Sequence, residues 1–150
     1  MTRHETRVGA YAVCLDGDAR MLLCRIGPGN LASGEWTLPG GGLGFGEEPA
    51  EGAIRELREE TGYEGRITGL LDVASEAIPA ADRMRRRIDL HVIFGLFRVE
   101  ITGGALRDEI DGSTDTAAWV SEAEMAGLRL VPIVEHARRL LGEDRPESAA

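Results

Sequence analysis

Lysine is missing from this sequence: every one of the 17 basic side chains among its 150 residues is arginine. That absence excludes a P-loop nucleotide site, a Schiff-base enzyme and a kinase-type phosphate lysine, each of which is built on the amine. The arginine and alanine bias also fits a GC-rich coding sequence. Cysteine is scarce. Cys14 and Cys24 sit in separate apolar runs with no CxxC spacing, which argues against a redox or metal role and predicts small buried thiols in a reducing compartment. Positive charge is short as well: 26 acids against 17 arginines leave a formal charge of −9. General nucleic-acid binding needs a basic surface to displace counterions, so it is not expected here. Nucleotides are not excluded, because a divalent metal can stand between an acidic site and a phosphate. His4, His91 and His136 are scattered along the chain and suggest no histidine metal site. No apolar run approaches membrane-spanning length and Met1 to Arg7 is polar. No membrane partner is therefore expected, and the cytoplasm is the expected location.

What is present is enough for one domain with its own core. The spacing of apolar residues predicts a β-hairpin from Val8–Leu15 and Arg20–Ile26 around the turn Asp16-Gly17-Asp18. Further strands are expected at Trp36–Leu38, Arg66–Val73, Ile88–Ile101 and Ala117–Val120. Ser121 with Glu124 has the form of a capping box, and Pro132–Leu141 reads as a last helix stopped by Gly142. Residues 1–6 and 143–150 read as frayed tails. Interspersed strands and helices with an early hairpin favour an α/β fold with a mixed sheet carrying helices.

The clearest element is a helix over Pro49–Thr61. Ala50, Ala53, Ile54, Leu57 and Thr61 form one apolar stripe, Pro49 suits its first position and Gly62 the left-handed residue past its end. At 100° per residue, Glu56, Glu59 and Glu60 fall within an arc of about 100° beside that stripe. Three carboxylates so close repel one another, and a hard cation such as Mg²⁺ or Mn²⁺ would remove the conflict. On the helix alone a solvated acidic face eased by Arg55 and Arg58 is the favoured alternative, since charged helix faces are common.

Reading back from the helix adds Gly41, then Glu47 six positions on, then Arg55-Glu56-Leu57 and Glu59-Glu60-Thr61-Gly62-Tyr63. This spacing resembles the Nudix box: Gly, five residues, Glu, seven residues, Arg-Glu, an aliphatic, one residue, Glu-Glu, one residue, Gly, an aliphatic. Tyr63 is the one departure, aromatic where the family usually has an aliphatic residue. Trp36 to Gly42, entering the glycines, and Trp119-Val120 before an acidic short helix resemble flanking segments of that family. The resemblance implies an α/β/α sandwich with a mixed sheet between helices, and hydrolysis of a nucleoside diphosphate linked to another group by water attack on phosphorus. It further implies Mg²⁺ (or Mn²⁺) on Glu56, Glu59 and Glu60, Arg55 paired with Glu47 as a brace, and Gly40 and Gly41 close to metal and phosphates.

A further catalytic carboxylate is expected from Asp108–Asp115, with Glu109 favoured as base or extra ligand over Asp111 and Asp115; an acidic turn around Asp111-Gly112-Ser113 is the plain alternative. Arg25, and Arg85 and Arg87 of the cluster Arg83–Arg87, are candidate phosphate contacts, the cluster also suiting a homodimer contact or a solvated loop. Trp36 reads as core and Phe45 as a residue able to stack on a base. A nucleoside triphosphate or modified dNTP fits the small size. ADP-ribose or a nucleotide sugar is the alternative, since Pro79 stands where ADP-ribose-cleaving members of that family often carry a proline. A non-catalytic nucleotide sensor is the third reading, disfavoured by the complete carboxylate set. The negative charge is concentrated to match. Glu47–Glu64 holds seven acids and two arginines, Asp108–Glu124 six acids and no arginine, and the remainder is net positive.

Overall fold

The computed structural model describes residues 3–80 and 87–143. Its elements run β1 (His4–Val13), β2 (Met21–Ile26), β3 (Trp36–Thr37), β4 (Gly40–Gly42), α1 (Pro49–Thr61), β5 (Tyr63–Ile78), β6 (Asp89–Gly104), β7 (Thr114–Val120), α2 (Glu122–Met125) and α3 (Pro132–Glu143). They form two sheets among the described residues. One is mixed, in the order β4-β1-β6-β5, with β1 parallel to β6; the other is antiparallel, β3-β2-β7.

The expected hairpin is replaced by a parting of strands. Asp16 makes the turn, its carboxylate accepting from the backbone N–H of Asp18 (3.0 Å) and Arg20 (2.8 Å). Beyond the single bridge Leu15–Met21, however, β1 and β2 go to different sheets. The reason lies in burial: Met21, Leu22, Leu23 and Cys24 are all buried. A strand covered on both faces is a central strand, and β2 takes β3 and β7 as its two partners.

Alternate residues then face opposite helices. Ala12, Cys14, Leu22 and Val99 pack with Leu57 of α1. Val13, Leu23, Phe94 and Leu96 pack with Val134 and Ala137 of α3. The result is the α/β/α layering expected, built on two sheets rather than one.

Several boundaries moved. Residues 4–6, read as tail, pair with Asp89–His91, and α3 continues through Gly142 to Glu143. β5 outruns its expected bounds at both ends and β6 at its C-terminal end, register shifts at three places letting the long ribbon twist without breaking. The glycines Gly40–Gly42, read as loop, form β4 against Gly9–Tyr11. Helix α1 has the expected bounds, with Gly62 at φ 80° donating its N–H to the Arg58 carbonyl at 3.0 Å. Its buried face differs: Gly52, Ala53, Leu57, Glu60 and Thr61 are buried, while Ala50 and Ile54 are half-buried. A glutamate has taken a place on the core side.

Candidate active site

Glu60 is 1 % exposed. A carboxyl so placed requires partners, and β4 and the residue before β7 supply them: Gly40 N–H donates to Oε2 at 3.0 Å, and Ser113 Oγ to Oε1 at 3.5 Å. Burial nonetheless dominates, and with the charges of Glu56 and Glu109 it pushes the Glu60 carboxyl up to about 9. Glu56 lies one turn earlier on α1, half-buried. Its carboxyl is also raised, first by burial and then by Glu59 and Glu109. Tyr11, on β1 beside β4, is pushed up to about 12 by burial and by Glu60 and Glu56. α1, β4 and the loop before β7 thus meet at Glu60.

Glycine makes the approach possible at Gly41. A Cβ there would stand 2.9 Å from Glu56 Oε1, so any side chain would push the carboxylate away from the strand. At Gly40 a Cβ would collide with the Tyr11 ring and the Ala10 carbonyl.

Arg55 ties this arrangement together. Its Nε and Nη2 donate to the two oxygens of Glu47 at 2.7 and 2.9 Å, a bidentate pair. Nη2 also reaches the Gly42 carbonyl at 3.2 Å, while Nη1 donates to Glu56 and Glu59 at 3.1 Å each. Glu47 in turn accepts from Gly44 N–H at 3.1 Å. Held by the guanidinium, the Glu47 carboxyl is lowered to about 2, and Arg55 is raised by the same pair. One arginine therefore joins the glycine strand, the loop after it and two helix carboxylates.

Glu109 stands in the loop before β7. Its Oε2 accepts from Thr114 Oγ1 at 2.8 Å, and its charge is felt by Glu56, Glu60 and the buried Cys24 thiol. The two alternatives are placed differently. Asp115 takes Arg25 Nε at 2.8 Å, and Asp111 is an exposed residue at φ 57°. That pairing places Arg25 against Asp115 and over the Trp36 ring, 5.9 Å from its centroid. Arg87 is exposed two residues before β6, whose first rung is His4, whereas β4 docks at Gly9–Tyr11. Arg83, Arg85 and Arg86 lie outside the described residues. Phe45, in the loop pinned by Glu47, is fully exposed, and Tyr63 packs on Trp119 at 5.8 Å between ring centroids. Ser113, Thr114 and Tyr11 were not singled out from the sequence. Ser113 and Thr114 lie inside the Asp108–Asp115 segment expected to supply a catalytic carboxylate, but no local spacing marks their hydroxyls as partners of a glutamate.

Among the described residues no three His, Cys, Asp or Glu side chains stand ready-converged on one point, and Arg55 Nη1 lies between Glu56 and Glu59. The donor set still fits a hard divalent cation. Glu56, Glu60 and Glu109 offer carboxylate oxygens, their mutual repulsion is a cost that a cation removes, and Gly41 leaves room where a Cβ would crowd Glu56.

The comparisons with known proteins agree with this architecture. The model of the NUDIX domain matches residues 5–141. A Bacillus subtilis (strain 168) protein named "Putative 8-oxo-dGTP diphosphatase" is 33% identical over 127 residues, covering 83% of this chain and 72% of its own. An "ADP-ribose pyrophosphatase" of Methanocaldococcus jannaschii is 36% identical over 100 residues, 64% of this chain and 54% of its own length. Among solved structures, a NUDIX hydrolase from Nitrosomonas europaea superposes with a TM-score of 0.74 at 21% identity, covering 93% of this chain and 90% of its own. With that match over nearly its whole length, and with the fold and box geometry above, the chain belongs to the Nudix family of hydrolases.

Proposed function

We propose that this chain is a Mg²⁺-dependent pyrophosphohydrolase acting on a nucleoside diphosphate linked to another group, with a nucleoside triphosphate or modified dNTP as the favoured substrate. The observation that carries the reading is the buried Glu60 tied to the glycine strand at Gly40 N–H and to the loop before β7 at Ser113, with Arg55 bracing Glu56 and Glu59 on the same helix. The bound cation would supply neutralisation of the phosphate oxygens and acidify the attacking water. Glu56 and Glu60, with Glu59 at the rim, would hold it, and Glu109 would face it from the opposite loop. Arg55 and Glu47 keep α1 in register with β4, so that the carboxylates are positioned before substrate arrives. Backbone N–H groups near Gly40–Gly42 and the Arg25 side chain are the candidate phosphate contacts, Arg25 exchanging Asp115 for substrate. The acidic site and the formal charge of −9 favour a small nucleotide over a nucleic-acid chain.

The relative named for 8-oxo-dGTP covers more of this chain than the relative named for ADP-ribose, and supports the triphosphate reading. The second relative and Pro79 support ADP-ribose as the other substrate. A panel of dNTPs, 8-oxo-dGTP, ADP-ribose, dinucleoside polyphosphates and NADH, assayed with Mg²⁺ for phosphate, pyrophosphate and nucleoside monophosphate, tests both. Mg²⁺-dependent turnover, fastest on a triphosphate, is the expected result. Turnover of none would overturn the enzymatic reading, and turnover of ADP-ribose alone would exchange the two substrates.

A further inference from the structure

Glu109 is the one carboxylate of the cluster carried by a loop, and a loop residue needs something to aim it. The structure provides this at the start of β7. Thr114 is a buried polar residue, 4 % exposed. Its hydroxyl donates to Glu109 Oε2 at 2.8 Å and its backbone N–H to the same oxygen at 3.4 Å. The preceding residue, Ser113, donates to Glu60. Both residues are anchored in sheet: Gly27 N–H donates to the Ser113 carbonyl at 2.9 Å, and Thr114 pairs with Ile26 of β2. The other end of the loop is tied by Asp108, which accepts from Ala117 N–H at 3.1 Å. Gly112 lies flush against the Glu109 carboxyl, where a Cβ would overlap it. The loop thus closes on itself through the Glu109 side chain, and one strand start holds a loop carboxylate and a helix carboxylate together.

We propose that Thr114 is a positioning residue whose hydroxyl and N–H hold the Glu109 carboxylate toward Glu56 and Glu60, with Ser113 steadying Glu60 from the same strand start. This rests on the reading that the three carboxylates face a divalent cation. Thr114 touches neither cation nor substrate; it acts through Glu109. Partners of this kind are worth about 10- to 100-fold in metal affinity or activity.

The test is a double-mutant cycle of Thr114→Val and Glu109→Gln on the full chain, with Thr114→Ser as the conservative rescue. Valine keeps the β-branched shape without the donor, and serine keeps the donor. Two quantities are read: Mn²⁺ affinity by electron paramagnetic resonance, and kcat and KM at saturating Mg²⁺ on the best substrate of the panel. Thr114→Val is expected to weaken Mn²⁺ binding and lower kcat about 10-fold each, with KM within about twofold. Thr114→Ser stays within about threefold of the parent, and Thr114→Val adds nothing in the Glu109→Gln background. Thr114→Ala carries the same cycle if the valine variant folds poorly. Wild-type Mn²⁺ affinity in the Thr114 variants, an equal loss in both backgrounds, or no Mn²⁺ binding by the parent would each overturn the proposal. The Mn²⁺ arm needs no turnover: a parent that binds Mn²⁺ and shows the coupling, yet hydrolyses nothing on the panel, would contradict the enzymatic reading and leave the positioning role standing.

Discussion

The Arg55–Glu47 pair shows how one residue's chemistry can organise a site. The guanidinium is planar and forked, and it spends its donors on Glu47, Glu56, Glu59 and a strand carbonyl at once. Because the pair lowers the Glu47 carboxyl from 4.5 to about 2, its contribution to stability has a defined pH window. A depressed carboxylate stabilises the fold above its unfolded value and loses that stabilisation as pH falls toward its folded value. The melting temperature of Glu47→Gln should therefore lie below that of the parent at neutral pH, and the gap should close as pH drops from 4.5 toward about 2. A gap that stays constant across that range would show that Glu47 acts through packing and not through charge.

At the scale of elements, α1 does two jobs with adjacent residues. Leu57 is fully buried against β1, β2 and β6, while Glu56 and Glu60 flank it on the site side. Leu57→Ala removes the anchor and should cost about 2–5 kcal/mol in urea unfolding. Gly41→Ala makes the complementary change. Its Cβ would crowd Glu56 Oε1, so the variant should stay folded yet lose about 10- to 100-fold in Mg²⁺-dependent activity and need more Mg²⁺ for half-maximal rate. Normal activity in that variant would mean that Glu56 does not need its place against β4. This helix was legible in the sequence because its signals are local: proline at the start, glycine past the end, and box residues at fixed offsets. The strand pairing was not. Asp16 makes a genuine turn, and nothing within Val8–Ile26 says that β1 will seek β6, 85 residues away by register, over its neighbour. The same limit hid Thr114, whose hydroxyl matters only because Glu109 folds back onto it. Burial of Glu60 was likewise out of reach of periodicity, which placed Ala50 and Ile54 on the inner face and left the glutamates beside it.

At the scale of the whole molecule, the acidic surplus is not spread evenly. It sits in the box segment and in the segment that carries Glu109, and the fold brings these two segments together where Ser113 reaches Glu60 at 3.5 Å. An anionic cluster facing an anionic substrate is consistent only if a cation lies between them. Glu60 is where that account is most exposed to test, because its carboxyl is buried, raised to about 9, and tied to the glycine strand. Glutamine keeps the shape and an acceptor for Gly40 N–H while removing the charge that a cation needs. The deciding measurement is the Mg²⁺-dependent turnover of Glu60→Gln beside the parent at equal concentration, with melting temperatures recorded for both. The expected result is an unchanged or higher melting temperature and turnover reduced by about 100-fold or more, as for loss of a group stabilising transition-state charge. Turnover within about twofold of the parent in a folded variant would contradict the assignment of the cation to this helix.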